Sequence, residues 1–394
     1  MKSRTKKLII SLSCSLGSIL LVVVGIVCSL GGYFIYVLNS YERIPDNQEL
    51  LIKDVENESS VTIGEEHSIT SYNIGFGAYS QDYSFFLDES YTIDGVNNVG
   101  KYGTAKSLDE VLFNTRGAIS VINALNPDFA IFQEVDTDST RSHHVNQYDM
   151  IKESFSSFDS SFASNFHTVF LPYPLHDMHG ASNAGLVTIS KFNMLKSTRK
   201  QLEIASDLSK LFDLDRCYTV SEFTTSNNKT LVIVNIHMSA YDDGGIRDAQ
   251  LKQLNDFLAS VNDDNHYVII GGDYNHDIVT YNPMYDFNDE NVAFSEYKAF
   301  RKPEWLQYFF NTDGTSRIHN AYTVFASTNA PTNRDASVPW EKGATYASTI
   351  DGFIVSSNIE VVSIETIVTE NGNKGVSHFA YSDHDPVLLK FILK

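Results

Sequence analysis

The sequence predicts an α/β fold carried behind an N-terminal membrane-spanning segment. Two patterns in its 394 residues point there. From residue 68 onward, short β-branched and aromatic runs alternate with helical stripes and no break in composition, the pattern of a single α/β domain over 68–394. Before it, residues 8–38 contain no charged side chain, and residues 19–27 are only Leu, Ile, Val and Gly.

About 20 apolar residues cross a bilayer core, so 8–38 is long enough with some tilt. It exceeds the ~7–15-residue apolar region of a cleaved signal peptide. Lys2, Arg4, Lys6 and Lys7 precede it, and the first acidic residue is Glu42. The positive-inside rule then gives a cytoplasmic tip at 1–7, an uncleaved anchor at 8–38, and a body outside the cell membrane. Residues 39–67 are polar and read as a juxtamembrane linker running into edge strands.

The net charge is −20, and the chain beyond the tip holds 25 basic against 49 acidic residues, a net of −24. Such a body repels nucleic-acid phosphates over most of its surface, which argues against patch-driven DNA binding. It leaves room for a nuclease whose bound cation reverses the field locally. Of three cysteines, Cys14 and Cys28 lie in the apolar run, leaving Cys217 alone in the body, so there is neither a disulfide framework nor a cysteine metal cluster.

In chain order, residues 68–74 alternate into a strand that delivers Asn73. Residues 76–104, rich in aromatics, Gly and Asn, read as a long loop of the kind that is usually functional or disordered. Leu108, Val111, Leu112, Ile119, Ile122 and Leu125 form a helical stripe, broken by Asn126-Pro127-Asp128. A short buried strand, 129–132, then ends in Gln133-Glu134. Residues 165–174, 185–190 and 231–237 give further strands, the last with His237 at its carboxyl end. Residues 246–261 read as an amphipathic helix, and 290–310 as partly helical.

The run Tyr267-Val268-Ile269-Ile270 is a buried strand closed by Gly271-Gly272, and Asp273 and Asn275 follow. In an extended segment that spacing puts both side chains on one side. A carboxylate and an amide oxygen at the end of a rigid strand suit a hard cation, or a water activated beside one. Isolated, such a pair is commonly a turn. A calcium loop is excluded, because Ile278 and Met284 stand where that motif needs Gly and Glu. Asp351 opens the apolar run 350–355, and Ser382-Asp383-His384-Asp385-Pro386 precedes a last strand from Val387.

Together these pieces resemble the endonuclease/exonuclease/phosphatase superfamily, whose fold is that of pancreatic deoxyribonuclease. The matching motifs are SYNI at 71–74, QE at 133–134, TISKF at 188–192, NIH at 235–237, GGDYN at 271–275, IDGFIV at 350–355 and SDHDPV at 382–387. Each is short, but all seven stand in the family's order. The resemblance implies a four-layer α/β sandwich, two mixed β-sheets face to face with helices outside. It implies Glu134 as principal magnesium ligand, with Asn73 and Asp383 near the same cation and manganese or calcium as alternatives. Asp273 and Asn275 would position or activate the attacking water. His384, oriented by Asp351, would be general base or phosphate contact, and His237 would stabilise charge on the phosphoryl oxygens or the leaving group.

The chemistry agrees, since phosphodiester hydrolysis needs a cation, an aligned water and a proton acceptor. The expectation is a divalent-metal-dependent phosphoesterase with a monomeric catalytic domain, acting nuclease-fashion on phosphodiesters at the outer face of the membrane. A sphingomyelinase-like hydrolase of phospholipids or phosphorylated small molecules uses the same residues. A non-catalytic binding platform is the opposing class, and no site position is missing to support it. Members acting at abasic sites usually carry an acidic residue just after the first asparagine. Here Ile74-Gly75-Phe76 follows, against that class. Residues 76–102 and His176-Asp177-Met178-His179-Gly180 are the places to look for substrate selectivity.

Overall fold

Strand alternation decides where everything sits. In Thr230–His237, Leu231 and Ile233 join one hydrophobic cluster, and Val232, Val234 and Ile236 join another. The same division holds for Tyr267 and Ile269 against Val268 and Ile270 in His266–Asp273. One face of each strand therefore meets a second sheet and the other meets a helix, as two-sided burial requires.

The computed structural model describes residues 2–55, 59–91, 97–205, 215–240, 245–279, 298–299, 309–311, 315–341, 345–372 and 375–394. It divides into two units, 1–43 and 44–394. The first is the helix Lys2–Ser40. Its stretch Ser15–Ser40 is long and apolar enough to cross a membrane, a property that an N-terminal signal sequence shares.

The second unit is built on two seven-stranded mixed sheets. The first orders its strands as Gln48–Glu49, Met194–Gln201, Cys217–Thr224, Thr230–His237, His266–Asp273, Asp351–Ser356 and Tyr322–Phe325. The second runs Ile359–Thr366, Val387–Leu393, Glu66–Asn73, Phe129–Asp136, Gly180–Ser190, Asp159–Leu171 and Ile52–Lys53. Between them lies a core that includes Ile69, Phe129, Ile131, Phe223, Ile233, Ile269, Phe353, Leu389 and Phe391. The helix Leu108–Leu125, capped by Ser107, packs Ala118, Ile119 and Ile122 on the outside of the second sheet. The helix Gly245–Ser260 packs Leu251, Leu254 and Leu258 outside the first. This is the four-layer α/β sandwich.

Some boundaries differ from the sequence reading. The strand expected at 165–174 is Asp159–Leu171. The described residues of 76–104 are no open loop: Phe76, Tyr79, Tyr83, Phe85 and Phe86 form their own core with Val111 and Val145. Aromatics packing edge to face need no periodicity, so a pattern search passes over them. The helical segment expected at 290–310 lies almost wholly outside the described residues.

Candidate active site

Along each strand's inward-facing positions, the apolar residues give way to polar ones at a single end of the sandwich. The series Leu231, Ile233, Asn235 ends in His237; Tyr267, Ile269, Gly271 in Asp273; and Val355, Phe353 in Asp351. Strand register makes these neighbours: His237 stands opposite Asp273, and Asp273 opposite Asp351. On the second sheet, Ile69 and Ser71 lead to Asn73, which pairs with Gln133.

Glu134 breaks the alternation. After Ile131 and Gln133 on the inner face it belongs outside, but the ladder shifts register between Phe132 and Val135, and Glu134 has φ of 54°. The bulge re-aims the side chain towards the site, a recurrent use of such irregularities. Glu134 Oε1 then lies 3.4 Å from Asn73 Nδ2, which also donates to Asp273 Oδ2 at 2.9 Å.

His384 arrives from the loop before Val387–Leu393. Its Nδ1 is 2.8 Å from Asp351 Oδ2 and its Nε2 3.7 Å from Asp273 Oδ2. Burial opposes its protonation, yet Asp351, Asp383 and Asp273 together hold its pKa well above the usual imidazole value. His237 Nε2 is 3.5 Å from the same Asp273 oxygen. Burial, then Arg216, His384 and Arg141, push His237 well below its usual value, so it is the neutral imidazole of the two. Burial raises Asp273 to about 7, with His384 opposing and Asp351 reinforcing.

Asn275 is placed otherwise than an extended chain would place it. The strand ends at Asp273, and Asn275 has φ of 51°; its N–H donates to Asp273 Oδ1 at 2.7 Å, and its Nδ2 to Met238 O at 2.8 Å. It fixes the Asp273 carboxylate rather than standing beside it.

Asp383 and Glu134 are partly exposed, whereas Asp273, Asp351 and both histidines are buried. Ser382 Oγ donates to the Asn73 carbonyl at 2.8 Å and lies 3.2 Å from Asp383 Oδ1, which competes for the same proton. A Cβ placed on Gly75 would come within 3.1 Å of that Asp383 oxygen and 2.6 Å of Tyr79, so only glycine, at φ of 51°, fits between them.

Among the described residues, two sets could hold a metal. Ligand atoms of Asp273, Asp351 and His384 lie within 4.8 Å of one another, but the His384–Asp351 hydrogen bond already engages that imidazole nitrogen. Asn73, Glu134 and Asp383 form the harder, all-oxygen set at the mouth. Burial, and Asp383 among the charges, raise the Glu134 pKa, with Arg141, Arg216 and His384 offsetting this only in part. A divalent cation there would offset that repulsion, and the donors fit a hard cation. Asn73 presents its amide nitrogen to the carboxylates while its Oδ1 accepts from Gly75 N–H at 3.0 Å, so the amide must turn over to ligate.

Several contributors escape a sequence reading. Gln133 Nε2 donates across the sheets to Asn235 Oδ1 at 2.8 Å, and Asn235 Nδ2 donates to the carbonyls of Phe132 and Val187 at 3.0 Å each. Thr332 Oγ1 accepts from the N–H groups of Ile350 and Asp351. Asp88, from the aromatic segment, has its pKa raised by burial and by Asp383 and Glu134, so it belongs to the same electrostatic neighbourhood. Arg141, buried against Asp136 and stacked 3.9 Å from the Phe76 ring centroid, supplies a fixed positive charge. Gln133 and Asn235 were visible as motif members, while Thr332, Asp88 and Arg141 carried no local signal.

Comparison with solved structures supports the fold. The chain matches an endonuclease/exonuclease/phosphatase from Beutenbergia cavernae at 14% identity and TM-score 0.53, covering 83% of this chain and 72% of that one. It matches a family protein from Bacteroides thetaiotaomicron at 15% identity and TM-score 0.50, over 84% and 96%. It also matches ANGEL2, a 2′,3′-cyclic phosphatase, at 17% and 0.50, over 88% and 99%. No curated protein matches the sequence. A profile of the Endonuclease/Exonuclease/phosphatase family matches residues 111–384, more than half of the chain, and the protein belongs to that family of phosphoesterases.

Proposed function

We propose that the chain is a divalent-metal-dependent phosphodiesterase working at the outer face of a membrane, with residues 8–38 as its anchor. The observation that carries the reading is the convergence of Asp273 on both His237 and His384, with Asn73 linking it to Glu134.

Asn73, Glu134 and Asp383 would hold the cation. When bound, it neutralises charge developing on phosphoryl oxygens and brings a polarised water. Asp273 accepts the proton of the attacking water, since a carboxyl raised to about 7 is matched to neutral pH. Asn275 N–H fixes one of its oxygens. His384, kept protonated by Asp351, contacts a phosphoryl oxygen, and neutral His237 donates to another or to the leaving group. The general-base role that the resemblance offered to His384 passes to Asp273 in this assignment.

The test is turnover of bis(p-nitrophenyl) phosphate, plasmid DNA, RNA and sphingomyelin by the full-length protein with magnesium and then with chelator. Hydrolysis of at least one, abolished by chelator, is expected. Metal binding with no turnover of any would return the protein to the class of binding platforms. Protease added to intact cells should digest the body, and its protection would reverse the orientation.

A further inference from the structure

The turn between Asp159–Leu171 and Gly180–Ser190 is built unlike the rest of this acidic surface. Within nine residues it exposes Phe170 (45%), Tyr173 (61%), Leu175 (79%) and Met178 (40%). Single exposed apolar side chains are ordinary, but four at one hairpin end, Phe170 on the strand and three in the turn, are a patch. The one carboxylate in the segment, Asp177, points inward: it accepts from Gly103 N and from the N–H and hydroxyl of Thr104. The turn is also braced. Tyr173 packs 5.5 Å from Phe86, its carbonyl accepts from His179 N, and the Pro174 carbonyl accepts from Asp177 N.

Its place in the fold gives the patch a meaning. The strand Phe129–Asp136 pairs with Gly180–Ser190 only as far as Asp136 opposite Ala184, while the hairpin continues to Leu171 opposite Gly180. The turn therefore projects past Glu134 at the site's end of the sandwich. The folded body also begins at that end. Ile44 N donates to Asp215 Oδ2, Gln201 N donates to Asp46 Oδ1, and Cys217, paired with Gln201, is level with His237 because Tyr218 opposes Ile236. Only Tyr41, Glu42 and Arg43 separate Ile44 from Ser40, the last residue of the apolar helix.

We infer that the turn at residues 170–178 is a lipid-docking tip that seats the mouth of the site on a bilayer surface, so that the phosphodiester it takes is carried by a lipid. Tyr173, Leu175 and Met178 enter the interfacial layer, where apolar and aromatic side chains partition and no outward carboxylate of this segment opposes them. The substrate half of the inference rests on the phosphodiesterase reading, whereas the docking half does not.

The test uses the full-length chain in phosphatidylcholine–sphingomyelin vesicles. Leu175→Trp is compared with Leu195→Trp, a leucine 54% exposed on a strand of the first sheet, and the parent's own Trp emission is subtracted. Brominated phosphatidylcholine should quench the first and leave the second unchanged; quenching of both or of neither overturns docking, and neither would assign the patch to a protein partner. The double variant Leu175→Asp/Met178→Asp should lose at least about tenfold in sphingomyelin turnover while keeping bis(p-nitrophenyl) phosphate turnover. Equal loss on both substrates, or on neither, overturns the lipid-substrate half. A parent inactive on sphingomyelin overturns the lipid-substrate half, and one inactive also on bis(p-nitrophenyl) phosphate, plasmid DNA and RNA overturns the phosphodiesterase reading, with quenching still deciding the docking.

Discussion

His384 Nδ1 meets Asp351 Oδ2 at 2.8 Å, joining the last loop of the chain to the first residue of a central strand. The other Asp351 oxygen is buried with no hydrogen-bond partner, and His384 lies between that acid and Asp273. The pair is thus a proton-holding device in which Asp351 leads the three carboxylates that raise the imidazole. A histidine raised by its partners is charged below its folded pKa and loses that charge as pH climbs through it. Asp351→Asn should therefore move the alkaline limb of kcat to lower pH. His384→Ala should cut the rate by about 10²–10⁴ while sparing metal affinity. Stopped-flow turnover across pH, with metal titration by calorimetry, reads both; an unmoved limb in Asp351→Asn would separate the two residues functionally.

Glu134→Ala should weaken magnesium binding and abolish turnover together, since it removes the more central of the two mouth carboxylates. Glu134→Gln should retain the fold and part of the geometry but not the charge, giving the same loss of affinity with unchanged thermal stability. Retained affinity in both variants would move the cation to Asp273, Asp351 and His384.

Asn235 is a buried cross-sheet tie. Removing it leaves the Phe132 and Val187 carbonyls and Gln133 Nε2 short of a partner, each a penalty of about 1–3 kcal/mol. Asn235→Leu should lower unfolding free energy by a few kcal/mol. Adding Gln133→Leu should cost less than the sum of the two single changes, because one orphan is removed with its partner. Urea melts of the three variants measure the coupling.

His179 sets an acid limit. Burial, reinforced by Arg141, pushes its imidazole down to about 3, among Phe85, Phe86 and Phe166. A depressed histidine contributes stability that is fully present above the unfolded value of about 6.5 and is lost as pH falls towards its folded value. Between those limits the loss approaches ~1.4 kcal/mol per pH unit. In urea melts at pH 7 and pH 5, His179→Gln should show a smaller drop than the parent; parallel curves would place the acid sensitivity elsewhere.

How far the sequence could be read depended on how local each cause was. Asn73, His237 and Asp273 end strands, and Asp351 begins one, whose apolar residues recur at two-residue steps, and a strand's period is visible in any short window. Glu134 was found through its motif, yet its direction was not, because a bulge and a left-handed residue undo the alternation. Asn275 misled for the same reason: the strand stops two residues earlier than its spacing assumes. Arg141, Asp88 and Thr332 act from segments whose proximity only the folded chain creates. In the helix Gly245–Ser260, Arg247 and Gln250 are buried beside Leu251, Leu254 and Leu258, drawn inward by packing and hydrogen bonding, not hydropathy.

Asn73, His237, Asp273 and Asp351 are held by the ladders of two sheets, while the described residues of 76–104 and those of 172–179 pack through aromatic contacts of their own. Preference and reactivity are therefore inherited through separate stretches of chain. Transplanting those two stretches into a relative should carry substrate choice across while leaving the recipient's hydrolytic steps as they were.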